Sequence, residues 1–377
     1  VTTWAAAAER LGGGLRDLTV RNVVRTTVGG SGLRVRLTNA FGDRPVTFGH
    51  VYAGVPRAGA ALEPGSNRML TFAGSPEVTL PPGTTALSDP LPGPVLPRRR
   101  LAISLYVRGE AGTLTGRNRA TAPARPPSSA APEPAGAPAY RSVPGDHASD
   151  ESGAAYIDEA AVWHWLDALT VTAPASVSAV AVLGDSLAVG VGSETGLGWV
   201  DLLADRGWPL AVVNEGVSGG KVLTAGTGLA AEKRLTAEVL TKPGIAAVIL
   251  LAGLNDLGAG ARAGDLIAAY RRMAATAHAA GVRMIGGTLT PYAGAEYHTP
   301  EGERARQEIN AFIRHGDAFD DLADFDAALR DPAAPARLLP HHDSGDHLHP
   351  STAGHQALAA AVTLPLPQPI ATTSRSP

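Results

Sequence analysis

Two kinds of hydrophobic spacing divide the chain. Up to about residue 172 the apolar positions come in short runs: Leu18–Val28, Leu33–Asn39, Val46–Ala53, Arg68–Phe72 and Leu101–Val107. Several alternate with period two. In Leu33-Arg34-Val35-Arg36-Leu37 the aliphatic side chains fall on one face of a strand and the arginines on the other. Turn-forming stretches such as Gly29-Gly30-Ser31-Gly32, Phe41-Gly42-Asp43-Arg44-Pro45 and Pro81-Pro82-Gly83 separate the runs. Regularly spaced strands of this kind predict an all-β sandwich or jelly roll. Ala161–Val171 reads as one more strand of the same unit. The Pro-, Ala-, Ser- and Gly-rich stretch 120–153 reads as a long surface excursion or linker.

From Val177 the spacing changes. Val177–Leu183, Leu210–Asn214, Ile245–Leu251 and Arg283–Leu289 are continuous aliphatic runs, which need burial on both faces, as in a parallel sheet. Between and after them lie helical patterns at Gly198–Asp205, Ala230–Leu240, Ala263–Ala280, Thr299–Arg314 and Thr352–Ala361. Alternation of strand and helix predicts a doubly wound α/β/α domain, with ligands at the carboxyl ends of its strands. The expected organisation is a β-sandwich over 1–172, an α/β domain over 173–365 and a flexible tail over 366–377.

Composition narrows the function classes. A chain of 377 residues accommodates two domains. Its 44 glycines and 30 prolines suit many turns and short strands. The net charge of −3 gives no electrostatic basis for binding nucleic acid or a membrane surface. Only three of the 32 basic residues are lysines, Lys221, Lys233 and Lys242, and the arginines are scattered. Arg21, Arg25, Arg34 and Arg36 read as the solvated face of a sheet, with a grip on acidic polysaccharide as the alternative. The absence of cysteine excludes disulfides, thiolate metal sites and a cysteine nucleophile. The longest apolar run, Ile245–Leu251, is less than half of the ~20 residues a membrane-spanning helix needs. The chain begins at Val1 and reads as one whose leader is absent, so the expected location is secreted, otherwise cytoplasmic.

Three predicted strand ends finish in small polar clusters: Leu183-Gly184-Asp185-Ser186, then Asn214-Glu215-Gly216-Val217-Ser218-Gly219-Gly220, then Ala252-Gly253-Leu254-Asn255-Asp256. A fourth cluster reads Asp346-His347-Leu348-His349-Pro350. Together they supply what acyl transfer requires. A serine hydroxyl becomes a competent nucleophile when an imidazole takes its proton. A carboxylate on the other ring nitrogen fixes the tautomer. Donors at the Ser186 and Gly219 N–H groups and the Asn255 amide can converge on a tetrahedral oxyanion.

These residues carry a resemblance. The chain resembles the SGNH, or GDSL-type, hydrolase superfamily over about residues 177–363. The first family block is matched by Gly184-Asp185-Ser186-Leu187 and the second by the glycine of Val217-Ser218-Gly219. The third is matched by Gly253-x-Asn255-Asp256 and the fifth by Asp346-x-x-His349-Pro350. The resemblance implies Ser186 as nucleophile, His349 as general base and Asp346 as its orienting acid. It implies an oxyanion hole of Ser186 N–H, Gly219 N–H and Asn255, and no cofactor or metal. The first half is similar to the β-sandwich that precedes the catalytic domain in a branch of secreted bacterial members, many of them carbohydrate or lipid esterases. That branch often follows the serine with Thr-Asp, where this chain has Leu187-Ala188-Val189-Gly190. The implied activity is hydrolysis of carboxylic esters, O-acyl groups on carbohydrate among them, and an open strand-end site with no long lid evident in the sequence favours short acyl groups such as acetyl.

Competing readings exist for two of the clusters. Gly216-Val217-Ser218-Gly219-Gly220 fits G-x-S-x-G, the nucleophile elbow, but that motif needs a helix directly after it and Lys221–Gly228 is a poor helix start. The stretch His341–His349 holds six metal-capable side chains in nine residues, which makes a metal-dependent hydrolase the alternative enzyme class. A further alternative is a catalytically inactive glycan-binding protein. His355 reads as a packing or surface histidine, and Asp185 and Asp256 as loop braces.

Overall fold

The computed structural model describes residues 1–119, 138–207 and 209–364. Its first half is built of antiparallel sheets. One contains Thr2–Ala5, Leu166–Thr172, Gly30–Thr38 and Thr85–Leu87 in that order, with Leu91–Val95 also on Gly30–Thr38. A larger one runs Tyr156–Ala160, Ala139–Pro144, Arg16–Arg25, Arg100–Glu110, Val46–Gly54, Arg68–Leu70, and a small third sheet joins Val162–His164, Thr113–Asn118 and Glu9–Gly13. The alternation seen in the sequence sets the packing. Leu33, Val35 and Leu37 of one sheet meet Val20, Val24, Phe48, Val51, Ile103 and Leu105 of the other in a single buried core around Trp165.

Three expectations for this half are corrected. Ala161–Val171 is not one strand: it divides into Val162–His164 and Leu166–Thr172, which lie in different sheets. The hinge is Trp165, at φ 52°, whose ring fills the core. Of the 120–153 stretch, Ala139–Pro144 is a strand inside the large sheet, while 120–137 and the predicted tail lie outside the described residues. The four arginines do not form a solvated face. Arg21 is fully buried under the Tyr156 ring and donates to Ser104 Oγ (2.8 Å) and to the carbonyls of Ala60 and Asp150 (2.5 Å each). Arg36 chelates Asp167 and reaches Thr241 of the second half, and Arg25 pairs with Asp205 there at 2.7 Å. The second half reaches Arg25 and Arg36, whereas Arg21 and Arg34 find their partners within the first half.

The second half is a five-stranded parallel sheet ordered Leu210–Gly216, Ser178–Gly184, Ile245–Leu251, Arg283–Gly287, Asp321–Ala323. The first strand in sequence therefore lies between the second and third, and the switch point falls at its carboxyl end. Register aligns the ends: Gly184 is opposite both Gly216 and Leu251. Helices cover the sheet. Ala263–Ala279 buries Leu266, Ala269, Tyr270, Met273, Ala274 and Ala277, a stripe of 3.6-residue period. Truncating the fully buried Leu266 to alanine should cost roughly 2–5 kcal/mol. Pro300–His315 starts at Thr299, whose Oγ1 accepts from Gly302 N at 2.9 Å, and carries Glu301 and Glu303 in its first turn and Arg314 and His315 in its last, as the helix dipole favours. Ala231–Arg234 continues as a π-helical turn, Leu235–Val239, and the three-residue strand Asp321–Ala323 was too short to show in the pattern. Among the described residues, no helix is long and apolar enough to cross a membrane.

Candidate active site

The parallel sheet ends on three loops that lie side by side. Ser186 begins a single helical turn, Ser186–Val189, capped by Asp185, whose Oδ1 accepts from Leu187 N at 3.0 Å. Gly219 sits at φ 69°, a left-handed conformation that glycine adopts without cost, in the turn after the neighbouring strand. Asn255 lies in the turn Leu254–Gly258 after Ile245–Leu251, preceded by Gly253 at φ 145°. A Cβ there would lie 2.6 Å from the Tyr270 hydroxyl.

His349 comes to this edge from the loop before the last helix, Thr352–Ala361, which Ser351 caps through Gly354 N. Its Nε2 lies 2.8 Å from Ser186 Oγ, and its Nδ1 lies 2.5 Å from Asp346 Oδ2. The other oxygen of Asp346 accepts the N–H groups of Leu348 (3.0 Å) and His349 (2.8 Å). Burial acts to raise the Asp346 pKa, but these hydrogen bonds and the histidine outweigh it and hold the carboxyl below its ordinary range. An ionised Asp346 accepts from Nδ1–H, which leaves Nε2 as the proton acceptor facing the serine.

The expected oxyanion donors are brought together only in part. Among the described residues neither Ser186 N–H nor Gly219 N–H has an acceptor, and a Cβ on Gly219 would meet open space. The Asn255 amide is engaged elsewhere: Nδ2 donates to Gly220 O at 3.1 Å and to Asp185 Oδ2 at 3.3 Å. Asp185 is buried, and burial, with Asp256 nearby, pushes its pKa up to about 7. A desolvated carboxyl draws the nearest donor. Asp256 takes Val222 N (2.8 Å) and Leu223 N (3.0 Å), so both acids brace loops.

The competing clusters resolve differently. No helix follows Ser218 until Ala231, and no histidine is bonded to Ser218 among the described residues. In His341–His349, Asp343 pairs with His347 and Asp346 with His349, and among the described residues no three His, Asp or Glu side chains form a group able to hold a metal. His355 is fully buried between Trp199 N and Val191 O, and burial lowers its pKa to about 4. Sequence reasoning missed Arg234. Buried at the start of the π turn, it donates to the carbonyls of Gly184 and Glu215, at the carboxyl ends of the neighbouring strands Ser178–Gly184 and Leu210–Gly216. One arginine on a helix carries no sequence signal of such a role.

A parallel sheet of this order, with a serine, a histidine and an aspartate in one hydrogen-bonded row at its carboxyl edge, defines an SGNH-type α/β/α domain. Residues 182–357, just under half of the chain, match the model of the GDSL-like Lipase/Acylhydrolase family. The chain is 35% identical over 133 residues to Esterase TesA of Pseudomonas aeruginosa, a match over 34% of this chain and 63% of that protein's length. Among solved structures it is similar to Axe2, an acetylxylan esterase from Geobacillus stearothermophilus (21% identity, 49% of this chain, 91% of that chain, TM-score 0.38). It is also similar to a GDSL-like lipase from Bacteroides thetaiotaomicron (18% identity, 49% of this chain, 85% of that chain, TM-score 0.40).

Proposed function

We propose that this protein is a serine carboxylic ester hydrolase acting through an acyl-enzyme on Ser186. The observation that carries the reading is the row Ser186 Oγ, His349 Nε2, His349 Nδ1, Asp346 Oδ2, at 2.8 and 2.5 Å. In the first half-reaction His349 takes the Ser186 proton as Oγ attacks the ester carbonyl. The resulting oxyanion faces the N–H groups of Ser186 and Gly219, and Asn255 joins as third donor when its longer bond, to Asp185, gives way. Collapse expels the alcohol, which takes the proton from His349. Water then gives its proton to His349 and attacks the acyl group, and Ser186 leaves as alcohol with that proton. Asp346 orients the imidazole and stabilises its charged form throughout. No cofactor is needed.

The exposed Gly219 and half-exposed Asp346 leave the site open, which favours a short acyl group on a larger alcohol, an O-acylated carbohydrate among them. The test is hydrolysis of p-nitrophenyl acetate and butyrate by the wild type, Ser186→Ala and Ser218→Ala, with folding followed by circular dichroism. Loss confined to Ser186→Ala is expected. Loss confined to Ser218→Ala would move the nucleophile to the neighbouring strand end, and folded Ser186→Ala with full activity would end the proposal.

A further inference from the structure

The first domain reaches the Ser186 turn through one side chain. Arg117 lies on the strand Thr113–Asn118 and is only 4% exposed, because it crosses into the second domain. Its Nη1 donates to the backbone carbonyl of Asn214 at 2.8 Å and its Nη2 to the side-chain Oδ1 of the same residue at 3.0 Å. A guanidinium is a donor only, so it holds the oxygen of the amide and turns the nitrogen away. That nitrogen donates to Ala188 O at 2.7 Å, in the middle of the turn that carries Ser186. Asn214 Oδ1 also accepts from Gly216 N at 2.9 Å, where the loop bearing Gly219 begins.

The far end of that loop is tied to the same domain. Arg10 N donates to Thr227 O at 2.6 Å, and Thr227 Oγ1 donates to the buried Glu9 at 3.2 Å. Glu9 in turn accepts the N–H of Asn118, the residue after Arg117, at 2.8 Å. The nucleophile turn and both ends of the Gly219 loop are therefore referenced to one small sheet of the first domain.

We propose that Arg117 is a positioning residue for the reaction: through Asn214 it sets the Ser186 turn and the Gly219 loop, so the first domain is part of the catalytic frame rather than a separable binding module. The proposal rests on the serine-esterase reading. Catalytic geometry tolerates little error, and a displacement of about 1 Å at the reacting atoms can cost 10²-fold in rate.

The experiment is steady-state hydrolysis of p-nitrophenyl acetate, together with the rate of inactivation by a fluorophosphonate. The full-length variants are Arg117→Ala, Arg117→Lys, Asn214→Asp, the Arg117→Ala/Asn214→Asp double variant and Ser186→Ala, each checked by circular dichroism and thermal melting. Arg117→Ala should lower kcat by roughly 10- to 100-fold and slow fluorophosphonate inactivation by the same factor, with KM changed by less than about threefold. Arg117→Lys, with one donor group in place of a fork, should fall between it and the wild type. Asn214→Asp keeps oxygens for the guanidinium but loses the amide hydrogens that serve Ala188 O, so it should match Arg117→Ala. The double variant should be no slower than the slower single one, as for two parts of one relay. Folded Arg117→Ala with kcat within about twofold of wild type would overturn the proposal. If Arg117→Ala does not fold, Asn214→Asp decides by the same criterion, and Arg117→Lys does so if neither folds. Full activity in Ser186→Ala would instead overturn the esterase reading on which the proposal rests.

Discussion

Two Asp–His pairs lie side by side in one loop, and what separates them chemically is what the far ring nitrogen meets. Asp343 accepts the N–H groups of Gly345 (2.8 Å) and His347 (3.0 Å) on one oxygen and faces His347 Nδ1 at 2.6 Å with the other. Asp346 accepts from Leu348 and His349 in the same manner and faces His349 Nδ1 at 2.5 Å. Each acid thus orients an imidazole with Nε2 pointing outward. His347, at φ 63°, packs beside Gly294, is 54% exposed and has no bonding partner besides Asp343 among the described residues. His349 is 16% exposed and its Nε2 meets Ser186 Oγ. An acid–imidazole pair is therefore a local product of a tight loop. What sets one of them against a serine is where the rest of the fold puts the far nitrogen.

The comparison can be broken by mutation. Ser186→Ala or His349→Ala should lower kcat by about 10⁶, as for a couple that acts as a unit. An equal loss in His347→Ala would erase the distinction between the pairs. Asp346→Asn should cost about 10⁴ in kcat, because the wrong tautomer then faces Ser186; activity near wild type would make Asp346 dispensable. Asn255→Ala should cost roughly 10²–10³, and a loss below threefold would mean that Asn255 stays with Asp185 and Gly220 throughout the reaction. His347→Ala should change kcat by less than about threefold, as for an exposed side chain.

The smallest effect is on stability. The Asp346 carboxyl is held below its unfolded-state value, so its contribution is fully present above that value and is lost as pH falls through the lower, folded one. Urea unfolding between pH 6 and 3 should show a steeper acid loss in the wild type than in Asp346→Asn. Parallel curves would mean that the pair adds nothing to stability, which its half-exposed carboxylate makes a small term in any case.

Much of the architecture was legible because hydrophobic period reports burial directly. Ile245–Leu251 is apolar throughout and buried over its last four residues, since a central parallel strand is covered on both faces, and Leu33 to Leu37 alternate since a sandwich strand is covered on one. The polar clusters were legible for the same reason: they begin where the apolar runs stop, and register aligns those stops at one edge. The sheet switch at Trp165 was not, since nothing in an apolar run marks one residue for positive φ. Arg21 was misread as solvated because period two assigns a face but not what covers it.

By itself the sequence determined where the parallel strands end, with Ser186, Gly219 and Asn255 just beyond those ends, and it offered Asp346 and His349 as their partners. It could not show that the Asn255 amide turns to Asp185, or reveal that Arg117 reaches across 97 positions to Asn214. Those outcomes depend on distances between segments remote in the chain. A hydrogen bond is made or lost within a few tenths of an ångström, and only the packed tertiary structure holds remote groups to that tolerance.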